Sequence, residues 1–274
     1  MDFIFSEECL KYKSMGHPES PERLEAAYDF LKDKFNFITP EPVSDEDLHL
    51  VHTSRHVKSV KNNDFFDFDS PNYENIYDFA TLSAGGAVKA QEIQGFSLTR
   101  PPGHHAGKDF LGGFCYFNNI AIAVKKSGLK TLILDIDGHH GNGTEDVFLG
   151  DKQVTFISLH RTGIFPGTGH SSKDNIFNYP FRGKCGDEKY LETFEQALDA
   201  VSDIKFEQIA VSAGFDGHVN DMLASLGITT EAYQKIGEMI SFFNLPTFAV
   251  GEGGYVGRDL GPNILSFVNG LKNK

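Results

Sequence analysis

Apolar residues fall into short runs separated by longer amphipathic stretches. Strand-like runs recur at Phe3–Phe5, Phe96–Leu98, Thr131–Ile136, Val154–Leu159, Gln208–Ser212 and Thr247–Val250. Between them the spacing predicts helices over Pro21–Phe35, Ala80–Gln94, Asn118–Lys126, Asp187–Ile204, Thr229–Phe243 and Asp259–Leu271. Pro21 directly after Ser20 suits a helix start, where the missing N–H costs no intrahelical bond. Strands alternating with helices predict an α/β fold with a central, mostly parallel sheet flanked by helices. No Pro/Gly/Ser-rich linker, internal repeat or low-complexity tract divides the sequence, so residues 1–274 are expected to form a single domain.

The polar motifs sit just after the strands: RPPGHHAG after Phe96–Leu98, DGHHGNG after Thr131–Ile136, GFDGH after Gln208–Ser212 and GEGGY after Thr247–Val250. In open α/β sheets, sites form at the carboxyl ends of strands, so these four are expected to converge. In LILDIDGHHGNG, Asp135 and Asp137 interrupt an apolar run that reads as a strand covered on both faces. Burying two carboxylates there is costly without a cation or strong donors. Asp137 and His139 point the same way in extended chain and suit zinc or another divalent transition metal. Taken alone, the motif also fits a capped loop of hydrogen-bonded side chains. Asp216 alone would read as a turn or N-cap aspartate, but with Asp137 and His139 it completes a three-ligand set. Three protein ligands leave a position for water and substrate, which is the catalytic pattern. The tandem His104 and His105 diverge, so one can meet substrate while the other is held, with Asp135 a candidate partner for His104. Tyr255, on a glycine loop, is a candidate donor to an oxyanion.

Composition changes the picture modestly. A net charge of −13 disfavours a duplex nucleic-acid binder and suits cationic substrates such as lysine side chains or polyamines. The three cysteines, Cys9, Cys115 and Cys185, have no CxxC spacing and argue for a reducing compartment. Neither a secretion signal nor a membrane-length apolar stretch is seen, so a cytoplasmic protein without membrane contact is expected.

With these motifs in this order, the chain resembles the histone deacetylase superfamily, which includes acetylpolyamine amidohydrolases and has the arginase-like α/β fold. The resemblance is densest from Arg100 to Tyr255 and reaches the HPESPERL segment at His17–Leu24; RPPGHHAG, GFCYFNN, DIDGHHGNG, AGFD and EGGY look most like class II enzymes and their prokaryotic relatives. It implies Zn²⁺ held by Asp137, His139 and Asp216, with Fe²⁺ able to fill the same site. It implies His105 as general base, His104 as its electrostatic partner oriented by Asp135, and Tyr255 as donor to the amide oxygen. Asn142 would orient His105. Phe114 and Phe165 would wall a tunnel with Leu223 near its rim, and the Gly113 carbonyl would receive the substrate amide N–H. A structural K⁺ would be held by Asp135, Ser158 and the backbone carbonyls of Asp137, His139 and Leu159.

Two features depart from relatives. Asp221-Met222-Leu223 lacks the proline often found there, which is expected to relax the rim. The region before Arg100 lacks the long insertion of dimeric acetylpolyamine enzymes, which implies a monomer with an open mouth. Relatives grip the substrate backbone with an aspartate where DFFDFD (Asp64–Asp69) lies, making Asp69 a candidate. The expected function is removal of acetyl groups from N-acetyl-lysine. Hydrolysis of an acetylpolyamine or a longer acyl amide would use the same residues, and a non-catalytic acyl-lysine binding module is a third reading. A ureohydrolase is disfavoured, because a binuclear cluster needs further bridging carboxylates.

Overall fold

The computed structural model describes residues 1–272. Its strands are β1 (Phe3–Ile4), β2 (Phe37–Ile38), β3 (Phe96–Ser97), β4 (Thr131–Asp135), β5 (Val154–Arg161), β6 (Ile176–Phe181), β7 (Gln208–Ala213) and β8 (Thr247–Gly251). They form one eight-stranded sheet in the order β2-β1-β3-β8-β7-β4-β5-β6. Every pairing is parallel, so the mostly parallel sheet expected from the alternation is parallel throughout.

Helices cover both faces. On one side lie α1 (Pro21–Leu31), α7 (Gly186–Asp199), α8 (Thr230–Ser241) and α9 (Gly257–Lys272), whose Leu24, Phe194, Ile236 and Phe267 share a core with Leu134 and Val211. On the other lie α2 (Asp45–Leu48), α3 (Ser54–Lys61), α4 (Ile76–Ile93), α5 (Asn119–Ser127) and α6 (Asn142–Phe148), packed around Ile133, Phe156 and Val250. Each fully buried Leu, Ile, Val or Phe contributes about 1.5–3 kcal/mol, which explains why a sheet covered on both faces reads as continuous apolar runs. No described helix is long and apolar enough to cross a membrane.

Several boundaries differ from the sequence expectation for local reasons. The first helix stops at Leu31 rather than Phe35, because Phe35 and Phe37 pack their rings on Phe3 at the sheet edge, at 4.7 and 5.3 Å. The fourth helix begins at Ile76, four residues earlier than expected, after Asn75 in the left-handed region at φ 59°. The seventh ends at Asp199, where Ser202 turns back to bond the Asp199 carbonyl at 2.8 Å. Strand β6 carries no clear alternation and contains Pro180, tolerated because the strand lies at the sheet edge.

Candidate active site

Strand register explains why the motifs meet. One row across the sheet reads Phe37, Phe3, Phe96, Ala249, Val211, Leu134, Ile157, Phe177, apolar in every strand. The next row reads Ile38, Ile4, Ser97, Val250, Ser212, Asp135, Ser158, Asn178. Polarity enters there, where the chain leaves the core. The strands preceding the motifs, β3, β8, β7 and β4, are consecutive neighbours. The motifs therefore share one edge, as expected.

Asp137, His139 and Asp216 are buried together, with one donor atom from each lying within 4.8 Å of the others. Backbone donors fix the carboxylates: the Gly253 N–H donates to Asp137 Oδ2 at 2.9 Å and the Gly138 N–H to Asp216 Oδ1 at 2.7 Å. His139 Nδ1 lies 2.7 Å from Asp216 Oδ2, yet that oxygen has no aligned hydrogen-bond donor. A buried carboxylate oxygen without a donor is costly. One imidazole nitrogen and two carboxylates aimed at a common point suit a divalent transition metal, so the residues present fit the ion expected there. Gly214 is required by this packing, since a Cβ would fall 2.0 Å from Asp137 Oδ2.

Beside this group the two histidines diverge as expected. His104 Nδ1 donates to Asp135 Oδ2 at 3.0 Å, and His105 Nδ1 donates to Asn142 Oδ1 at 2.7 Å. Burial opposes charge on His104, but Asp137 and Asp135 outweigh it and push its pKa up to about 10. His105 goes the other way: burial, then the neighbouring His104 charge, lowers its pKa well below the usual value. His105 is thus a neutral imidazole with Nδ1–H committed to Asn142, which leaves Nε2 as the acceptor.

Tyr255 is half-buried, and burial followed by the charges of Asp216 and Asp137 keeps its phenol protonated. The Asp221 carboxylate accepts the Tyr255 N–H at 2.8 Å and the Leu223 N–H at 2.9 Å. The turn expected to be loose without proline is therefore tied to the tyrosine loop by a side chain. Leu223 is partly exposed, as a rim residue would be. Phe165 packs edge-on against His105 at 4.8 Å, and Phe114 against Tyr255 at 5.8 Å. Gly113, at φ +54°, lies between them; a Cβ there would fall 2.6 Å from both His105 and Phe165.

Of the residues expected around K⁺, Asp135 and Ser158 are register partners across β4 and β5, with Leu159 next in the strand. Asp69 is exposed, and its carbonyl accepts from His17 Nε2 at 3.1 Å.

Sequence reasoning missed three supports. Glu252 Oε2 accepts the N–H groups of Gly103 and His104 at 2.7 and 3.2 Å, and so fixes the tandem histidines. Arg23 donates to the Glu252 and Gly254 carbonyls at 3.1 and 3.4 Å and stands 5.4 Å from the Tyr255 ring centroid. His140 and His160 bind Thr168 Oγ1 and the Gly169 carbonyl at 2.8 and 3.0 Å, anchoring the loop that carries Phe165. Glu252 and Arg23 lay inside quoted motifs, but nothing in one sequence says which backbone groups a side chain will reach.

The comparisons with known proteins agree with this geometry. Residues 17–271 match the histone deacetylase domain family. A probable deacetylase of Archaeoglobus fulgidus is 37% identical over 265 residues, covering 85% of this chain and 74% of that protein. The solved HDA15 HD domain superposes with a TM-score of 0.91 at 31% identity, over 97% of this chain and 86% of its own. An acetylpolyamine aminohydrolase from Burkholderia pseudomallei has the same fold, with a TM-score of 0.91 at 24% identity over 100% and 99% of the two chains. This chain belongs to the histone deacetylase family.

Proposed function

We propose that this protein is a zinc-dependent hydrolase that removes acetyl groups from N-acetyl-lysine side chains. The observation that carries the reading is the buried Asp137–His139–Asp216 group, with a donorless carboxylate oxygen, beside His105, whose ring centroid lies 5.9 Å from that of His139. Asp137, His139 and Asp216 would hold the ion, Zn²⁺ or alternatively Fe²⁺. When bound, it supplies Lewis acidity toward the amide carbonyl and lowers the pKa of water.

The chain's own groups do the rest. His105 Nε2 takes the proton of the attacking water and returns it to the leaving amine as the C–N bond breaks and acetate is released. His104, held cationic by Asp135 and Asp137, stabilises negative charge developing nearby. The Tyr255 hydroxyl donates to the carbonyl oxygen as it becomes an oxyanion. The Gly113 carbonyl accepts the substrate N–H, while the Phe114 and Phe165 rings admit a straight methylene chain. Asp135 and Ser158, with the carbonyls of Asp137, His139 and Leu159, would hold a structural K⁺. One domain over residues 1–274, acting as a cytoplasmic monomer, completes the reading; the free cysteines Cys9, Cys115 and Cys185 support a reducing compartment.

The test is turnover of an acetyl-lysine peptide against N-acetylputrescine and N-acetylspermidine, with and without a hydroxamate chelator. Chelator-sensitive turnover favouring the peptide is expected. The reverse preference would make the protein an acetylpolyamine hydrolase, and no turnover of either would refute the proposal.

A further inference from the structure

Resting on the acyl-lysine reading above, we propose that Glu145 and Thr168, joined through His140, are positioning residues that fix Phe165 and so set the width of the substrate slot. Phe165 projects from the loop between β5 and β6, 42% exposed, with one edge against the His105 ring. The loop's own backbone is a poor support for it. Gly163, Gly167 and Gly169 lie within seven residues at φ 80°, 76° and 73°, and glycine is the residue with most freedom to lose on ordering.

The hold comes from side chains on neighbouring elements. The Thr168 hydroxyl donates to His140 Nδ1 at 2.8 Å, and the His140 Nε2–H donates to Glu145 Oε2 at 3.0 Å. Asn178 Nδ2 also donates to Glu145 Oε2 at 2.8 Å, and it reaches the Ser171 carbonyl at 3.1 Å. A Cβ on Gly169 would fall 2.6 Å from both the His140 and His160 rings. These two buried rings, 4.6 Å apart, thus seat the backbone beside Thr168.

The Thr168 contact does little for the core. Thr168 is exposed, so water would satisfy its hydroxyl equally well. What the bond fixes is the loop, close behind Phe165. Glu145 stands on α6 one turn after Asn142, which holds His105 Nδ1. The same short helix therefore sets both His105 and the ring packed on its edge. The opposite wall is fixed separately, since the Phe114 N–H donates to Ser70 Oγ at 3.0 Å. Cutting the Thr168 bond frees one wall alone and widens the gap between them.

Calorimetry on the zinc-loaded protein measures the affinities of two hydroxamates, one with a straight alkyl linker and one with a phenyl ring in its place. Kinetics on a small acetyl-lysine amide run alongside. In Thr168→Val the affinity ratio is expected to shift about five- to tenfold toward the phenyl compound, as one hydrogen bond is lost. KM for the amide should rise while kcat stays within about twofold, because His105 keeps its bond to Asn142. Thr168→Ser, which keeps the hydroxyl, should restore the parent ratio. Glu145→Ala should shift the ratio as Thr168→Val does. The double variant should go no further than either, since both cut one chain of bonds. An unchanged ratio in Thr168→Val, a failure of Thr168→Ser to restore it, or additive effects in the double variant would overturn the proposal. So would equal weakening of both hydroxamates, which general loosening of the fold produces. Ratios that behave as expected in a protein that turns over no amide would refute the hydrolase reading alone.

Discussion

Glu19 and Arg100, 81 residues apart, form a buried bidentate pair: Nε and Nη2 of the arginine each reach a different carboxylate oxygen at 2.7 Å. Arg23 adds a third contact to Glu19 at 3.0 Å, and the Arg100 guanidinium lies 3.6 Å from the Tyr12 ring centroid. This cluster ties the N-terminal HPESPERL segment to the strand exit that carries the tandem histidines. Burial alone would raise the Glu19 pKa, but Arg100 and Arg23 outweigh it and hold it at about 2.

A depressed carboxyl pKa contributes stability that is fully present above its unfolded value, roughly 4.3, and is lost as pH falls through the folded one. Thermal stability is therefore expected to drop between about pH 4.5 and 2 by on the order of 3 kcal/mol from this group. Glu19→Gln should flatten that part of the profile and cost about 3–5 kcal/mol near neutral pH, because two buried guanidiniums lose their counter-charge. Melting temperatures across pH check this; an unchanged slope in the variant would count against the pair.

Gly270 and Gly237 let α8 and α9 meet backbone to backbone. A Cβ on Gly270 would fall 2.1 Å from the Gln234 carbonyl oxygen. Gly270→Ala should therefore destabilise by about 1–3 kcal/mol. Denaturant unfolding reads the change, and a variant as stable as the parent would mean that the helices slide apart freely.

Tyr255→Phe removes only the hydroxyl. A turnover loss of about 10²–10³-fold is expected, with metal content near that of the parent. Steady-state kinetics with metal analysis separate the two; unaltered kcat would remove Tyr255 from the mechanism.

Asp221→Ala should loosen the same tyrosine from behind by freeing the Tyr255 and Leu223 N–H groups. A drop of about tenfold in kcat is expected from the loss of roughly 1–1.5 kcal/mol of positioning, with metal retained. Metal loss in step with activity would instead make Asp221 a support of the metal group.

The sequence disclosed the site better than its surroundings. Asp137, His139 and Asp216 were legible because carboxylates at strand exits are costly unless something uses them, and the parallel sheet was legible from strands alternating with helices. Strand β6 was not, because an edge strand with Asn178 and Pro180 lacks the continuously buried run that marks β4 and β5. The short helix α6 was hidden because it starts on the last two residues of DGHHGNG, where glycines read as loop. Glu252 and Asp221 stayed unassigned for another reason. Their roles depend on N–H groups about 149 and 34 residues away, which only the sheet order brings into reach.

The most direct test of the account is acetate release from an acetyl-lysine peptide by protein stripped of metal and then titrated with Zn²⁺. Activity should vanish on stripping and return fully at one equivalent, while Asp216→Ala should neither retain the ion nor recover. Full turnover by the stripped protein, or recovery in Asp216→Ala, would contradict the assignment of Asp137, His139 and Asp216 as the metal-holding centre.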